Sequence, residues 1–274
     1  MKENKIWNDY LPEDMQEHWT VYECLKESED SSTFLVKETA TGILCVLKWG
    51  RNRQTEFLRN EMEIMKKMAD RKLSGIPKAY RIFEENGEVY LVREYIEGMS
   101  LAQMVLQKGG ISEAEICRIS RKICQTAEQF QNPDEPMIHR DIKPENIVVT
   151  PGGEVVFIDF GTMRSYKKDG SRDTFVVGTR GTAAPEQYGY TQTDQRTDVY
   201  AIGQTMLYMV SESYEMNQLS ECAVSRRMKK IIEKACSFEP DKRYGDAAQL
   251  RRAVENVRRT IEKRFIKKQA QSLD

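Results

Sequence analysis

The sequence is poor in metal-binding side chains. It has only two histidines, and none of its six cysteines belongs to a C-x-x-C pair. Structural zinc sites draw on closely spaced cysteine and histidine ligands, so this scarcity argues against such a site. Three of the cysteines, Cys45, Cys117 and Cys124, lie inside apolar patterns, which predicts buried free thiols and a reducing, cytoplasmic environment.

Long apolar runs are also absent, because every uninterrupted run is shorter than ten residues. A membrane-spanning helix needs about 20 mostly apolar residues, so the sequence predicts none. The first residues, MKENKIWNDYLPED, lack the apolar core of a signal peptide. No charge of one sign dominates either. The 42 basic and 43 acidic residues give a formal net charge of −1, which offers no global attraction for nucleic acid.

Glycine is missing from one particular place. The stretch at residues 25–37, LKESEDSSTFLVK, contains none, although the whole chain has 16. It precedes TGILCVLK, a strand-like run that ends at Lys48. Glycine lets a backbone adopt positive φ and approach a ligand closely, so any turn in this stretch must be built in another way.

What the sequence does contain predicts a smaller β-rich lobe followed by a larger helical one. In residues 21–95, STFLVKETATGILCVLKW predicts a hairpin with a Thr-Gly turn, and GEVYLVREYI predicts a strand after the Asn86-Gly87 turn. One helix, RQTEFLRNEMEIMKKMADR, lies among these strands. From Ser100 onward helical periodicity dominates, as in SEAEICRISRKICQTAEQF and SRRMKKIIEKAC, with the short strands NIVVT and EVVFID between them. The expected fold class is α+β.

Five short motifs are more specific than these patterns. They are HRDIKPEN at residues 139–146, DFG at 159–161, APE at 184–186, DVYAIG from Asp198 and DKRY at 241–244. With these motifs in this order, the chain resembles the eukaryotic-type, or Hanks-type, serine/threonine protein kinase family. The resemblance covers residues 21–258. The KPEN segment favours Ser/Thr over Tyr substrates, and the style of GTRGTAAPEQYG resembles bacterial members.

The resemblance implies a bilobal protein-kinase-like fold, with a small β-rich N-lobe that carries one helix and a larger, mainly helical C-lobe. The expected division is an N-terminal extension at residues 1–19, the N-lobe at 20–95, the C-lobe at 96–260 and a basic tail at 261–274. The extension contains Trp7 and Trp19 and is expected to pack on the N-lobe. The tail fits either a last helix with a solvated end or a polybasic segment before a membrane anchor in a longer parent protein.

The resemblance also assigns the chemistry, which is transfer of the γ-phosphate of ATP with Mg²⁺, or with Mn²⁺ as an alternative. Asp141 is expected to accept the proton of the attacking hydroxyl, and Lys143 to contact the γ-phosphate. Asn146 and Asp159 are the expected metal ligands, because hard cations prefer oxygen. The residues expected to hold the nucleotide and its metal are Leu25, Thr33, Val46, Lys48, Glu94, Ile96, Asn146 and Asp159.

A pairing of Lys48 with Glu61 can be argued from the residues themselves. One face of the predicted helix is formed by Phe57, Glu61, Ile64, Met65 and Met68. Glu61 is the only charge on that face, and a buried carboxylate is costly unless it is paired. Lys48 ends a strand of the same lobe and is the natural partner. In the kinase family this pair is catalytic and orients the α- and β-phosphates; the alternative is a Glu61 that faces water.

Further residues are assigned by resemblance alone. Glu186 and Arg243 match the ion pair that anchors the end of the activation segment. Asp198 matches the aspartate that braces the catalytic loop. Thr179 stands where the family places a threonine that faces the substrate hydroxyl.

Arg140 precedes the catalytic aspartate, where an arginine often binds a phosphate on the activation segment. We expect Thr174 to be autophosphorylated and to pair with Arg140, because a phosphate offers several strong acceptors to a guanidinium. Ser171 is the other acceptor to examine. The alternative is a flexible loop without this pairing.

The chain departs from the family at the phosphate loop. Counting back from Lys48 puts the three usual glycine positions on Lys26, Ser28 and Ser31. Three acidic residues between positions 27 and 30 add negative charge where a polyanion is expected. We therefore expect weak ATP binding, and we expect glycine at positions 28 and 31 to tighten it.

Arg93 is the second departure, just before the hinge sequence EYI. An arginine so close to Lys48 and Glu61 should pair with a carboxylate, with Glu61 as one candidate, or turn to solvent. Competition with Lys48 for Glu61 would favour an inactive arrangement.

Together these observations predict an active, Mg·ATP-dependent kinase that phosphorylates Ser or Thr hydroxyls of proteins, including its own. No nucleic acid partner is expected, and the oligomeric state is left open. The alternative is a pseudokinase or scaffold module that binds nucleotide or partners without turnover, which the glycine-free stretch and Arg93 favour. A small-molecule kinase is a weaker interpretation, because GTRGTAAPE resembles a platform for protein substrates.

Overall fold

The structure is a computed structural model that describes residues 11–109, 111–132, 134–166, 178–189 and 192–271. The chain divides into two compact units, Met1–Glu97 and Gly98–Asp274. The first is rich in β-structure and the second is mainly helical. The predicted α+β class, with a β-rich lobe followed by a helical one, is confirmed.

The first unit is built on one antiparallel sheet with the strand order β1-β2-β3-β5-β4. Its elements are α1 (Glu13–Gln16), β1 (Trp19–Glu27), β2 (Ser31–Glu38), β3 (Leu44–Gly50), α2 (Gln54–Asp70), β4 (Ala79–Glu85) and β5 (Glu88–Glu94). The predicted hairpin is present as β2 and β3, and the strand predicted after the Asn86-Gly87 turn is β5. Asn86 and Gly87 join β4 to β5 with φ of 51° and 80°, and two consecutive positive φ values match the twist of a tight hairpin.

The main core of the first unit lies on one face of this sheet. Alternate residues of β2, among them Phe34 and Val36, point into it. Leu11, Met15 and Trp19, which precede or begin β1, are buried in the same cluster. The predicted packing of the N-terminal extension on this unit is therefore confirmed for residues 11–19, and Trp7 lies outside the described residues.

Helix α2 packs on the opposite face of the sheet. Its Leu58 and Met62 are buried in one cluster with Val89 and Leu91 of β5. The sequence pattern placed neither Leu58 nor Met62 on the buried face. The reason is that a helix pressed against a sheet buries a wider stripe than a strict i, i+4, i+7 pattern marks.

The second unit combines helices with short strands. Its elements are β6 (Met99–Ser100), α3 (Leu101–Lys108), α4 (Glu113–Phe130), β7 (Met137–Ile138), β8 (Ile147–Val149), β9 (Val155–Phe157), β10 (Arg164–Ser165), α5 (Gln195–Ser211), α6 (Arg226–Ala235) and α7 (Ala247–Gln271). Strands β6, β8 and β9 form one small sheet and β7 pairs with β10. The predicted strands NIVVT and EVVFID correspond to β8 and β9, which pair antiparallel.

Helix α4 supplies much of the core of the second unit, with its inner face buried from Ile116 to Phe130. Cys117 and Cys124 lie on that face, and Cys45 is buried in the first unit, so the three predicted buried thiols are confirmed. Burial raises the pKa of the Cys117 thiol to about 12, which keeps it protonated and unreactive.

Helix α7 continues through most of the stretch that the sequence assigned to a basic tail, because it ends at Gln271. Its first turns are packed, with Leu250, Val254 and Val257 buried. Among the residues that the structure describes, no helix combines the length and the apolar character needed to cross a bilayer.

Candidate active site

Lys48 and Glu61 form a buried ion pair in the first unit. Lys48 Nζ donates to Glu61 Oε1 at 2.9 Å and to Oε2 at 2.7 Å. The two side chains are 11% and 1% exposed. The pair joins β3 to α2 as the sequence predicts, and the alternative of a Glu61 that faces water is wrong.

Three predicted nucleotide-binding residues share one face of the sheet. Thr33 of β2 lies opposite Lys48 of β3, and Leu35 lies opposite Val46. Residues directly opposite each other point to the same face, and so do residues two apart along a strand. Thr33, Val46 and Lys48 therefore line one surface, while Leu25 is half exposed at a register shift of β1.

The glycine-free turn between β1 and β2 is short and closed by its own serines. The Ser28 amide donates to the Ser31 carbonyl oxygen at 2.8 Å, and the Ser28 hydroxyl donates to the same oxygen at 2.9 Å. The two hydroxyls lie 2.8 Å apart. Residues 28–31 are all described and none has a positive φ. A turn of this shape needs no glycine, because no residue in it enters the left-handed region.

Arg93 is buried, with 3% of its surface exposed, so the alternative in which it turns to solvent is wrong. Its Nη1 donates to the carbonyl oxygen of Glu94 at 3.0 Å. The carboxylate of Glu94 accepts a hydrogen bond from the Lys78 amide at 2.9 Å. The end of β5 is thus fixed by side-chain bonds, while the Lys48–Glu61 pair remains formed. Ile96, beyond β5, is partly buried.

In the second unit a carboxylate, an amine and a hydroxyl meet. Lys143 Nζ lies 2.8 Å from Asp141 Oδ2. The Thr179 hydroxyl donates to Asp141 Oδ1 at 2.7 Å, and Lys143 Nζ lies 2.5 Å from Thr179 Oγ1. The side chains of Asp141 and Lys143 are 13% and 15% exposed. A carboxylate that is reachable and already accepts a bond from a hydroxyl is suited to receive a proton from an alcohol.

Asn146 and Asp159 lie at the same end of the β8–β9 ladder. Ile147 pairs with Phe157 in that ladder, and the Ile158 amide donates to the Asn146 carbonyl oxygen at 3.0 Å. Asn146 Nδ2 donates to Asp141 Oδ2 at 2.9 Å and to its carbonyl oxygen at 3.1 Å. These two bonds use the amide nitrogen of Asn146 and not its amide oxygen. Together with the Asp159 carboxylate that oxygen fits Mg²⁺, which prefers hard oxygen ligands.

Asp198 of α5 braces the loop that carries Asp141, as the sequence predicts. Its two carboxylate oxygens accept the amide hydrogens of His139 and Arg140, each at 3.0 Å. Burial raises the pKa of Asp198 to about 6, and the two amide bonds oppose that rise. The bond to Arg140 matters because this residue holds a φ of 68°, a conformation that L-residues rarely adopt without support.

His139 belongs to the core rather than to the chemistry. Its ring packs against Phe130, Phe157 and Phe160 at centroid distances of 6.2, 5.4 and 5.4 Å. Burial lowers its pKa to about 4, so the ring is neutral near pH 7. Its Nδ1 faces the Asp141 amide at 3.4 Å. The histidine therefore fixes the shape of the loop and does not act as an acid or base.

The predicted pair of Glu186 and Arg243 is confirmed. Arg243 Nη1 and Nη2 donate to the two Glu186 oxygens at 2.7 and 2.8 Å. The side chain of Arg243 is 0% exposed and that of Glu186 is 4% exposed. The Thr197 hydroxyl also donates to Glu186 at 2.8 Å, so the carboxylate is fully engaged.

Gln187 is a positioning residue that the sequence analysis missed. Its Nε2 donates to the Arg140 carbonyl oxygen at 2.7 Å and its Oε1 accepts the Ala184 amide at 2.9 Å. A single glutamine carries no charge or periodicity signal, so only its place after the APE motif could have marked it.

Arg140, which is expected to pair with a phosphate, contacts a backbone oxygen in this structure. Its Nε donates to the Thr162 carbonyl oxygen at 2.7 Å. The expected phosphate acceptors at positions 171 and 174 lie outside the described residues.

The first unit thus holds a buried lysine–glutamate pair, and the second holds a loop in which an aspartate contacts a lysine and an asparagine. The family described as protein kinase domain matches residues 20–258. The chain therefore belongs to the protein kinase domain family.

Relatives of the chain carry serine/threonine-protein kinase names. It is 29% identical to serine/threonine-protein kinase D of Synechocystis sp. over 256 residues, which cover 82% of this chain and 49% of that protein. It is 25% identical to serine/threonine-protein kinase cds1 of Schizosaccharomyces pombe over 75% of this chain and 49% of that one. With serine/threonine-protein kinase PknB of Mycolicibacterium smegmatis, the identity is 30% over 59% of this chain and 29% of that one. The chain thus spans about half or less of the length of these curated relatives.

Proposed function

We propose that this chain is an active serine/threonine protein kinase that transfers the γ-phosphate of ATP to hydroxyl groups of proteins. The observation that carries this proposal is the cluster of Asp141, Lys143 and Thr179. In it, a reachable carboxylate accepts a hydrogen bond from an alcohol while an ammonium group lies beside it. An alcohol nucleophile and a migrating phosphoryl group need those two neighbours.

Each predicted residue has a defined task in this proposal. Asp141 accepts the proton of the attacking hydroxyl, and Lys143 stabilises the charge of the γ-phosphate. Lys48, oriented by Glu61, binds the α- and β-phosphates. These tasks are supported by the hydrogen bonds that fix each side chain.

The nucleotide and its metal complete the set. Leu25, Thr33, Val46, Glu94 and Ile96 would contact the nucleotide, and Asn146 and Asp159 would hold Mg²⁺, or Mn²⁺ in its place. The metal supplies neutralisation of the phosphate charge when it is bound. All six cysteines are free thiols, which supports a reducing cytoplasmic setting.

The deciding experiment is transfer of labelled phosphate from Mg·ATP to a generic Ser/Thr substrate and to the protein itself. The unmutated chain should transfer phosphate, and Asp141→Asn should reduce the rate about 10²–10⁴-fold while thermal unfolding stays similar. Asp134→Asn is the matched control, because Asp134 is exposed in the same unit. Equal rates for Asp141→Asn and the unmutated chain would contradict the proposed role of Asp141.

A catalytically silent nucleotide-binding module is the second candidate, favoured by one observation. Arg93 donates to the backbone oxygen of Glu94, in the hinge segment assigned to the nucleotide. If the unmutated chain binds ATP but transfers no phosphate at millimolar ATP, the scaffold function replaces the kinase function. Arg93→Met separates the two further, since restored turnover would identify the arginine as the cause.

A further inference from the structure

The turn between β1 and β2 is held from outside by the two residues that follow β3. The Arg51 amide donates to the Asp30 carbonyl oxygen at 3.0 Å, and Arg51 Nε donates to Asp30 Oδ1 at 3.1 Å. Arg51 Nη2 donates to the Glu29 carbonyl oxygen at 2.9 Å. Asn52 Nδ2 donates to Asp30 Oδ1 at 2.9 Å. We call these four residues, Glu29, Asp30, Arg51 and Asn52, the Asp30 clip.

The sheet register brings the two halves of the clip together. Ser31 lies opposite Gly50, so the residue after Gly50 falls beside Asp30. Asn52 has a φ of 53°, which turns the chain toward the start of α2 at Gln54. Gly50 permits this tight connection, because a Cβ there would lie only 2.8 Å from the Cβ of Gln54.

The Asp30 clip compensates for the absence of glycine in the β1–β2 turn. A glycine-rich turn can move its backbone toward a ligand, whereas this turn is fixed internally by Ser28 and Ser31 and externally by Arg51 and Asn52. The clip also places a guanidinium against Asp30, one of the acidic residues of the turn. Arginine suits this task because its planar fork reaches the Asp30 carboxylate and the Glu29 carbonyl oxygen at once.

We propose that Arg51 and Asn52 are positioning residues that hold the β1–β2 turn in place for the phosphates of ATP. This inference rests on the proposed function, since it takes the turn to be the phosphate lid of a kinase. The Lys48–Glu61 pair lies on the same two elements, β3 and α2, that the Arg51-Asn52 connection joins. The Asp30 clip thus ties the β1–β2 turn to the segment that joins Lys48 on β3 to Glu61 on α2.

The test compares Arg51→Ala and Arg51→Lys with the unmutated chain. Lysine keeps the charge but cannot bond both partners, so both variants should raise the KM for ATP about fivefold while kcat stays within about twofold. Arg81→Ala is the matched control, because Arg81 is exposed on β4 at the opposite edge of the sheet. It should leave both constants unchanged.

Hydrogen exchange of the amides in residues 27–32, measured without nucleotide, checks the clip directly. Exchange should be faster in Arg51→Ala than in the unmutated chain and in Arg81→Ala. Unchanged exchange or an unchanged KM in Arg51→Ala overturns the inference. If Arg51→Lys keeps the KM of the unmutated chain, the charge of residue 51 is sufficient, and the proposal that Arg51 positions the turn through its two hydrogen bonds is overturned. An unmutated chain that transfers no phosphate is a failure of the proposed function; the Kd for Mg·ATP then replaces KM, and absence of any nucleotide binding overturns the inference as well.

Discussion

At the scale of single residues, buried charged side chains are the positions whose partners are easiest to predict from the sequence. Glu61 is 1% exposed and has Lys48 on both of its oxygens. Such a carboxylate was predictable, because one acidic residue on an apolar helix face must find a cation. The position of Arg93 was not predictable in the same way, because one of the bonds that hold it goes to a backbone oxygen, which any sequence supplies.

Glu61→Gln tests the ion pair. The amide cannot balance the charge of Lys48, so the lysine loses its fixed position. We expect kcat/KM for ATP to fall about 100-fold and the free energy of unfolding to fall by about 2 kcal/mol. Glu63→Gln on the exposed side of the same helix is the control, and a similar loss there would show that the effect is not specific to the pair.

His139→Phe tests the pH dependence of stability. The pKa of His139 is lowered from 6.5 to about 4 by burial, so the unfolded chain binds a proton at a pH where the folded chain does not. The histidine therefore costs stability as pH falls from about 6.5 to about 4. Relative to the variant, the unmutated chain should lose about 3 kcal/mol of unfolding free energy across that range.

The measurement is urea unfolding of both proteins at several pH values between 4 and 7. Asp198 acts with the opposite sign, because its raised pKa of about 6 makes stability fall as pH rises through that window. Asp198 is present in both proteins, so its contribution cancels in the difference between their unfolding free energies. An unfolding free-energy difference between the two proteins that stays constant from pH 4 to pH 7 would contradict the assignment to His139.

At the scale of elements, strands with their own turn signals were predictable and their irregularities were not. The Asn86-Gly87 turn defines β4 and β5 locally, because the dipeptide itself selects the hairpin. The two register shifts of β1 depend on how it pairs with β2, so no local sequence pattern predicts them. The Asp30 clip belongs to the same class, since its residues are about 20 positions apart.

Replacing both Ser28 and Ser31 with glycine tests the turn as an element. Glycine allows the turn amides to approach phosphate more closely, so the KM for ATP should fall about threefold to tenfold. Alanine at both positions separates the causes, because it removes the hydroxyls without freeing the backbone. An unchanged KM with glycine would mean that the turn does not contact phosphate.

At the scale of the whole molecule, contacts between distant parts of the chain set the limit of prediction. The Glu186–Arg243 pair spans 57 residues and was found only through its resemblance to a family motif. The bond from Gln187 to the Arg140 carbonyl oxygen spans 47 residues, and its only signal in the sequence is the place of Gln187 after the APE motif. Such contacts depend on how helices pack, which local patterns do not specify.

Arg243→Met tests the Glu186–Arg243 pair. The variant leaves Glu186 buried without its cation, which should lower the free energy of unfolding by about 3–5 kcal/mol. Arg252→Met, on the exposed side of α7, should change it by less than about 0.5 kcal/mol. Chemical denaturation measures both, and a small effect for Arg243→Met would show that water replaces the guanidinium.

The packing of Leu11, Met15 and Trp19 against the first sheet has a consequence for where the domain may be cut. The family match begins at residue 20, yet these three side chains, 4%, 1% and 3% exposed, belong to the core that Phe34 and Val36 help to form. A chain trimmed to the family boundary would uncover an apolar patch beside an edge strand, which invites self-association. A cut at the family boundary would therefore remove part of the core of the first unit, so a trimmed chain should begin before Leu11.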